Sequence, residues 1–146
     1  MSTYADTSFL LSYFGQDAKT PLAHTHAAGW TQPPRIAWTL FGELEFNNAA
    51  RALVFVGKLD AGRLGAMQAR VREDLRGGIL TRKGLPADLH YRTAESISAA
   101  HTARLGGRTL DLLHIAAAQT LGAREFLSFD GRQCELATLC GLRIAP

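Results

Sequence analysis

The sequence predicts an α/β fold, a mostly parallel sheet with helices on both faces. Three observations carry this. Short extended runs alternate with helix-period segments from one end of the chain to the other, the order that builds a parallel sheet. Apolar residues make up 47% of 146 residues, which suits one core and a single domain over residues 1–146. Four acidic residues, Asp6, Glu45, Asp111 and Asp130, stand where strands are predicted to stop and helices to begin.

Residues 3–6 read as the first strand, and Thr7 or Ser8 as the cap of a helix through Phe9, Leu10, Leu11 and Phe14. Residues 15–34 are polar, with Gly15, Pro21, Gly29, Pro33 and Pro34; they read as a loop, with a short helix over 18–28 as the alternative. Residues 35–39 (R-I-A-W-T) form a second, buried strand. From 40 to 56 the apolar residues Leu40, Leu44, Ala49, Ala52, Leu53 and Phe55 recur at helical spacing, and Gly57 ends that helix. Residues 60–75 make a helix with Leu64, Met67, Val71 and Leu75 on one face and Arg63, Arg70, Arg72 and Arg76 on the other. Those arginines are either an ordinary solvated face or a basic flap over a nucleic-acid groove. Gly77-Gly78 breaks the chain, and residues 79–82 are a short strand or an extended link. Pro86 opens a helix to about residue 105, Thr109 caps one over 110–121, and residues 124–129 are a strand ending at Asp130. A short helix over 131–140 and a last strand over 142–145 complete the pattern.

The net charge is +3 and the sequence pI about 9.2, which fits a polyanionic partner without requiring one. Cys134 and Cys140 lack a C-x-x-C or Cys/His pattern, so they read as two buried thiols rather than a zinc site. The N-terminus carries no basic, then apolar, leader, and no apolar run approaches membrane-spanning length. A cytoplasmic protein is expected. No phosphate-binding glycine loop, dinucleotide fingerprint or nucleophile elbow occurs. His24 and His26 lie in a polar stretch with no third ligand and read as surface histidines.

The acids remain. In open parallel sheets, ligands bind beyond the carboxyl ends of the strands, which puts Asp6 and Asp130 on one rim. Each has a structural alternative: Asp6 is a good helix cap, Asp130-Gly131 a good turn, and Asp111 suits a helix N-terminus. Asp111 also precedes an almost wholly apolar helix, where a carboxylate needs a partner. His114, one turn on, reads as a packing or hydrogen-bonding residue, because Mg²⁺ prefers oxygen. Glu43 and Glu45 point about 200° apart on a helix, so only one can face the site; we take Glu45, which shares a face with Asn48. Gathered carboxylates repel unless a hard cation holds them, and such cations assist phosphodiester hydrolysis.

The runs Y-A-D-T-S-F-L-L, L-E-F-N-N-A and R-T-L-D-L-L-H-I-A-A-A-Q-T-L-G-A-R-E-F-L-S-F-D-G-R-Q resemble the PIN domain, and with the closing A-T-L-C-G-L-R-I its VapC-type toxin branch. The resemblance spans nearly the whole chain. It implies a three-layer α/β/α sandwich and an endoribonuclease dependent on Mg²⁺ or Mn²⁺. It implies Asp6, Glu45, Asp111 and Asp130 as the catalytic, metal-holding acids, with Thr7 or Ser8 the hydroxyl beside the first. It also implies an RNA substrate, a small antitoxin partner and a homodimer. Some relatives carry another acid after the fourth position, where this chain has Gly131, Arg132 and Gln133. Arg82, Lys83 or Arg132 is expected to hold the RNA backbone. A non-catalytic binder on the same fold and a DNA-directed nuclease are the alternatives.

Overall fold

In the computed structural model, which describes residues 2–146, five three-residue strands form one sheet. They are β1 (Thr3–Ala5), β2 (Ile36–Trp38), β3 (Leu80–Arg82), β4 (Glu125–Leu127) and β5 (Arg143–Ala145). Every pairing is parallel and the order is β3-β2-β1-β4-β5. Seven helices connect them: α1 (Thr7–Phe14), α2 (Thr20–Ala28), α3 (Leu40–Phe55), α4 (Ala61–Gly77), α5 (Ala87–Leu105), α6 (Thr109–Thr120) and α7 (Gly131–Leu139).

The strands alternate between two cores. Ala5, Ile36, Trp38 and Leu127 face α1 to α4, with Phe9, Phe14, Phe46, Met67 and Val71. Tyr4 and Phe126 face α5 to α7, with Ile97, Leu113, Ile115 and Leu136. The period-two pleat of each strand thus feeds both faces, giving three layers, α/β/α. Helix α6 is buried from Leu112 to Ala118, which explains its apolar sequence.

Several local expectations are corrected. Asp6, not Thr7 or Ser8, caps α1, since its carboxylate accepts the Phe9 N–H. Thr109 lies inside α6, whose cap is Arg108 in extended geometry with no side-chain capping bond. The stretch 15–34 contains α2, in agreement with the helical alternative over 18–28, so His24 and His26 are helical: His24 Nε2 bonds the Tyr13 carbonyl, and His26 packs edge-on against Phe9 and Trp30. In α3 the buried residues are Gly42, Phe46 and Ala50, whereas Leu40, Leu44 and Phe55 are exposed. Cys134 and Cys140 are half-buried free thiols.

Helix α4 keeps its apolar face, with Met67 and Val71 buried and Leu64 and Leu75 packed against the first core. Its arginines divide. Arg70 lies over the rings of Tyr13 and Phe14 and reaches the Phe14 carbonyl, so it braces α1, while Arg63, Arg72 and Arg76 are exposed.

Thr39 sets the start of α3, its Oγ1 accepting the Gly42 N–H at 2.9 Å from a buried position. Thr39→Ala removes that cap and is expected to lower stability by about 1–2 kcal/mol. Urea unfolding checks this; an unchanged midpoint would mean that α3 is held by packing alone.

Candidate functional site

The chain runs outward from β1 to β2 and β3, then crosses back to place β4 on the other side of β1. The connections beyond the carboxyl ends of β1 and β4 therefore diverge, leaving the crevice where open α/β sheets bind ligands. Asp6 and Asp130 flank it. Because Ala5 pairs with Leu127, the next residues, Asp6 and Ser128, meet at the strand ends.

Asp6 is fully buried. Its Oδ1 accepts from Phe9 N at 2.9 Å and Ser8 Oγ at 2.7 Å, and its Oδ2 from Ser128 Oγ at 2.5 Å. Burial pushes its pKa above the ordinary carboxylate range, and the bonds from Ser128, Phe9 and Ser8 only partly offset this. Ser128 Oγ also accepts the Asp130 N–H at 3.0 Å, so one hydroxyl couples Asp6 to the turn presenting Asp130. Asp130 caps α7 through the N–H groups of Arg132 and Gln133.

Asp111 stands in the first turn of α6. Arg108 Nε donates to it at 2.9 Å, and the same guanidinium reaches Asp130 at 3.5 Å. The bond and charge of Asp111, helped by Asp130 and Glu45, raise the Arg108 pKa. Gln133 Nε2 donates to Asp111 at 3.1 Å, while its own Oε1 is buried without a hydrogen-bond partner.

Glu45, in the second turn of α3, contacts His114 Nε2. His114 is 1% exposed, with its Nδ1 2.8 Å from the Tyr4 hydroxyl, its Nε2 3.4 Å from Thr7 Oγ1, and its ring against Phe41. Burial, then the charges of Asp6 and Glu45, hold the Tyr4 pKa well above its usual value, so the phenol keeps its proton. With Tyr4 donating to Nδ1, the Nε2–H of His114 donates to Glu45. Glu43 points elsewhere, accepting from Trp38 Nε1 at 2.6 Å and from Arg82 at 2.8 Å.

All four acids thus stand at the carboxyl rim, each held by an identifiable side chain: Asp111 and Asp130 by Arg108, Asp6 by Ser128, and Glu45 by His114. Among the described residues no three His, Cys, Asp or Glu side chains converge closely enough to share one ion. The chemistry of the donors nonetheless fits a hard cation. They are carboxylates, one of them buried at an energetic disadvantage, beside an amide oxygen without a partner, and Arg108 already bridges two of them as a cation does.

Of the basic residues expected to hold RNA, Arg132 lines a small cavity with Arg108 and Asp111, Arg82 is paired with Glu43, and Lys83 lines a separate cavity with Ser2 and Arg35. Arg108, Ser128 and Gln133 escaped the sequence reading. Arg108 carried a usable signal, since an arginine three residues before an acid at a helix start forms an i,i+3 pair. Ser128 and Gln133 carried none, because their partners lie on other elements.

This architecture is the PIN-domain fold. It is shared with the Mycobacterium tuberculosis protein VapC20, described as a sarcin–ricin loop cleaving toxin, at TM-score 0.70 and 19% identity, covering 99% of this chain and 100% of that one. FitAcB from Neisseria gonorrhoeae matches at TM-score 0.66 and 12% identity, over 99% of this chain and 96% of that one. PAE2754 from Pyrobaculum aerophilum matches at TM-score 0.57 and 13% identity, over 99% and 89%. No protein-family profile matches the sequence, and neither does any curated protein.

Proposed function

We propose that this protein is an endoribonuclease dependent on Mg²⁺ or Mn²⁺ and the toxin of a toxin–antitoxin pair. The observation that carries the reading is the placement of Asp6 and Asp130 beyond the carboxyl ends of β1 and β4, where the strand order reverses, with Asp111 joined to Asp130 by Arg108 and Glu45 near the start of α3. The likeness in fold to an RNA-cleaving toxin supports RNA as the substrate.

Asp6, Glu45, Asp111 and Asp130 are the residues that would hold one or two such cations, partly through waters. When bound, a divalent ion supplies a water of lowered pKa and neutralises charge developing on the phosphate. The chain's own residues do the positioning. Ser8 and Ser128 fix both oxygens of Asp6, His114 directs Glu45, and Gln133 orients Asp111. Arg108, 70% exposed at its side chain, balances Asp111 and Asp130 and stands where a phosphate would approach.

An antitoxin partner and a homodimer belong to the same reading. Leu40 and Leu44, one turn apart and exposed on α3, offer apolar surface for such contacts. No helix among the described residues is long and apolar enough to cross a membrane, consistent with action on cytoplasmic RNA.

The test is digestion of matched RNA and DNA oligonucleotides, single-stranded and hairpin, with Mg²⁺, Mn²⁺ or a chelator. Metal-dependent RNA fragments ending in 5′-phosphate and 3′-hydroxyl are expected. Cleavage of DNA alone would make it a DNA-directed nuclease, and binding without cleavage a non-catalytic protein on the same fold.

Arg108 also makes a separable prediction. Its guanidinium competes with a metal ion for Asp111 and Asp130, so Arg108→Gln is expected to tighten Mn²⁺ binding a few-fold at low salt, read by titration calorimetry. Unchanged or weaker Mn²⁺ binding would show that the guanidinium offers no competition.

A further inference from the structure

A polar cavity of about 300 Å³ lies between α3 and α4. Trp38 and Arg82, paired across β2 and β3, form its sheet side, Glu43 and Asn47 its α3 wall, and Gln68 and Arg72 its α4 wall. None of these residues takes part in the site described above. We propose that this cavity is a base-reading subsite for a nucleotide flanking the cut in single-stranded RNA, an inference that rests on the nuclease reading and extends it to sequence preference.

Its position, size and chemistry each point there. β2 is the neighbour of β1, so the strand that brings Trp38 to the cavity lies one strand spacing, about 5 Å, from the strand that ends at Asp6. Its volume is at the lower end for small-ligand sites and suits one nucleotide rather than a peptide segment. Two guanidinium groups, Arg72 and Arg82, face one carboxylate, Glu43, which already accepts from Trp38 and Arg82. The balance is positive, as a phosphate-bearing ligand requires.

Deeper selectivity comes from an amide pair. Gln68 Nε2 donates to Asn47 Oδ1 at 3.2 Å, joining the two helices across the cavity. The Gln68 carbonyl and the Asn47 amino group have no other hydrogen bond among the described residues. They leave an acceptor on Gln68 and a donor on Asn47, the two kinds of group that read a base edge. Asn47 sits four residues from Glu43, so the two share the cavity face of α3, while Glu45 faces the acid rim from the other side of the same rigid helix.

The test uses labelled RNA octamers, each varied at one position, binding to Asp6→Asn protein by fluorescence anisotropy, with and without Gln68→Ala. Gln68 is on a helix surface where alanine is a good helix former, and a melting curve confirms the variant folds. The parent is expected to prefer one base at one position by about tenfold, and Gln68→Ala to flatten that preference. Arg72→Ala is expected to weaken all octamers alike. Base preferences that survive both Gln68→Ala and Asn47→Ala would overturn the subsite, as would a parent with no preference. Wild-type protein on the same octamers in Mn²⁺ separates the two readings: cleavage without a Gln68 effect removes only the subsite, and selective binding without cleavage removes only the nuclease.

Discussion

Asp6→Asn is expected to abolish RNA cleavage while leaving the metal-free protein at least as stable as wild type at pH 7. Loss of one carboxylate from the rim removes several kcal/mol of cation-derived stabilisation, about a thousandfold in rate. The fold survives because Asn caps helices about as well as Asp and still accepts the Phe9 N–H. The stability half follows from burial. The folded-state pKa of Asp6 is raised, so the folded protein holds that proton more tightly than the unfolded chain. Its contribution favours folding below the unfolded carboxylate pKa and is lost as pH rises through the higher folded value. Above that folded value the ionised group therefore opposes folding, and asparagine removes that penalty. Urea midpoints of the two proteins are expected to diverge as pH rises from acid to neutral, with the variant ahead. In Mn²⁺ the order narrows or reverses, because only wild type gains from the ion. An Asp6→Asn protein that cuts RNA at the wild-type rate would place the chemistry elsewhere.

His114→Ala is expected to lower stability by about 3 kcal/mol and to reduce cleavage through Glu45. The imidazole is buried between Phe41 and Tyr4, so its removal leaves a cavity and strips the Tyr4 hydroxyl of its partner. It also frees Glu45, whose only hydrogen bond among the described residues is to that ring. His114→Phe separates the two effects. It fills most of the volume but supplies no hydrogen bonds, so about 1–3 kcal/mol is still lost and Glu45 still moves. The measurements are urea unfolding and the metal dependence of cleavage, where a displaced Glu45 raises the Mn²⁺ concentration needed for half-maximal rate. If His114→Phe matches wild type in both, the Tyr4–His114–Glu45 chain is only packing.

Much of the architecture was written locally. The strands over Tyr4, Ile36 and Phe126 are short apolar runs before polar or capping residues, and α4 shows its buried stripe directly in Leu64, Met67, Val71 and Leu75. Helix α3 was harder. Leu40, Leu44 and Phe55 have the spacing of a core face, but the sheet meets Phe46 and Ala50 instead, since three apolar stripes compete on that helix and only docking selects one. The caps of α1 and α6 fall on Asp6 and Arg108, just before the hydroxyl residues Thr7 and Thr109. Thr7 and Thr109 are good capping types, but Asp6 reaches the Phe9 N–H first, and at α6 the charge of Asp111 already complements the helix dipole.

The sequence by itself determined which residues bear the charge and on which rim of the sheet they stand, because strand ends and helix starts are local events set by patterning and capping. It also separated Glu43 from Glu45 by helical period, and the structure places them in different surroundings, Glu43 with Trp38 and Arg82, Glu45 with His114. Tertiary structure decided the distant partners of the acids. Asp6 meets Ser128 across 122 positions of sequence, and Glu45 meets His114 across 69. Contacts at such separations depend on strand order and helix docking. That long-range packing supplies the acids with Ser128, Arg108 and His114 as partners, and it opens the cavity walled by Gln68 and Asn47 between α3 and α4.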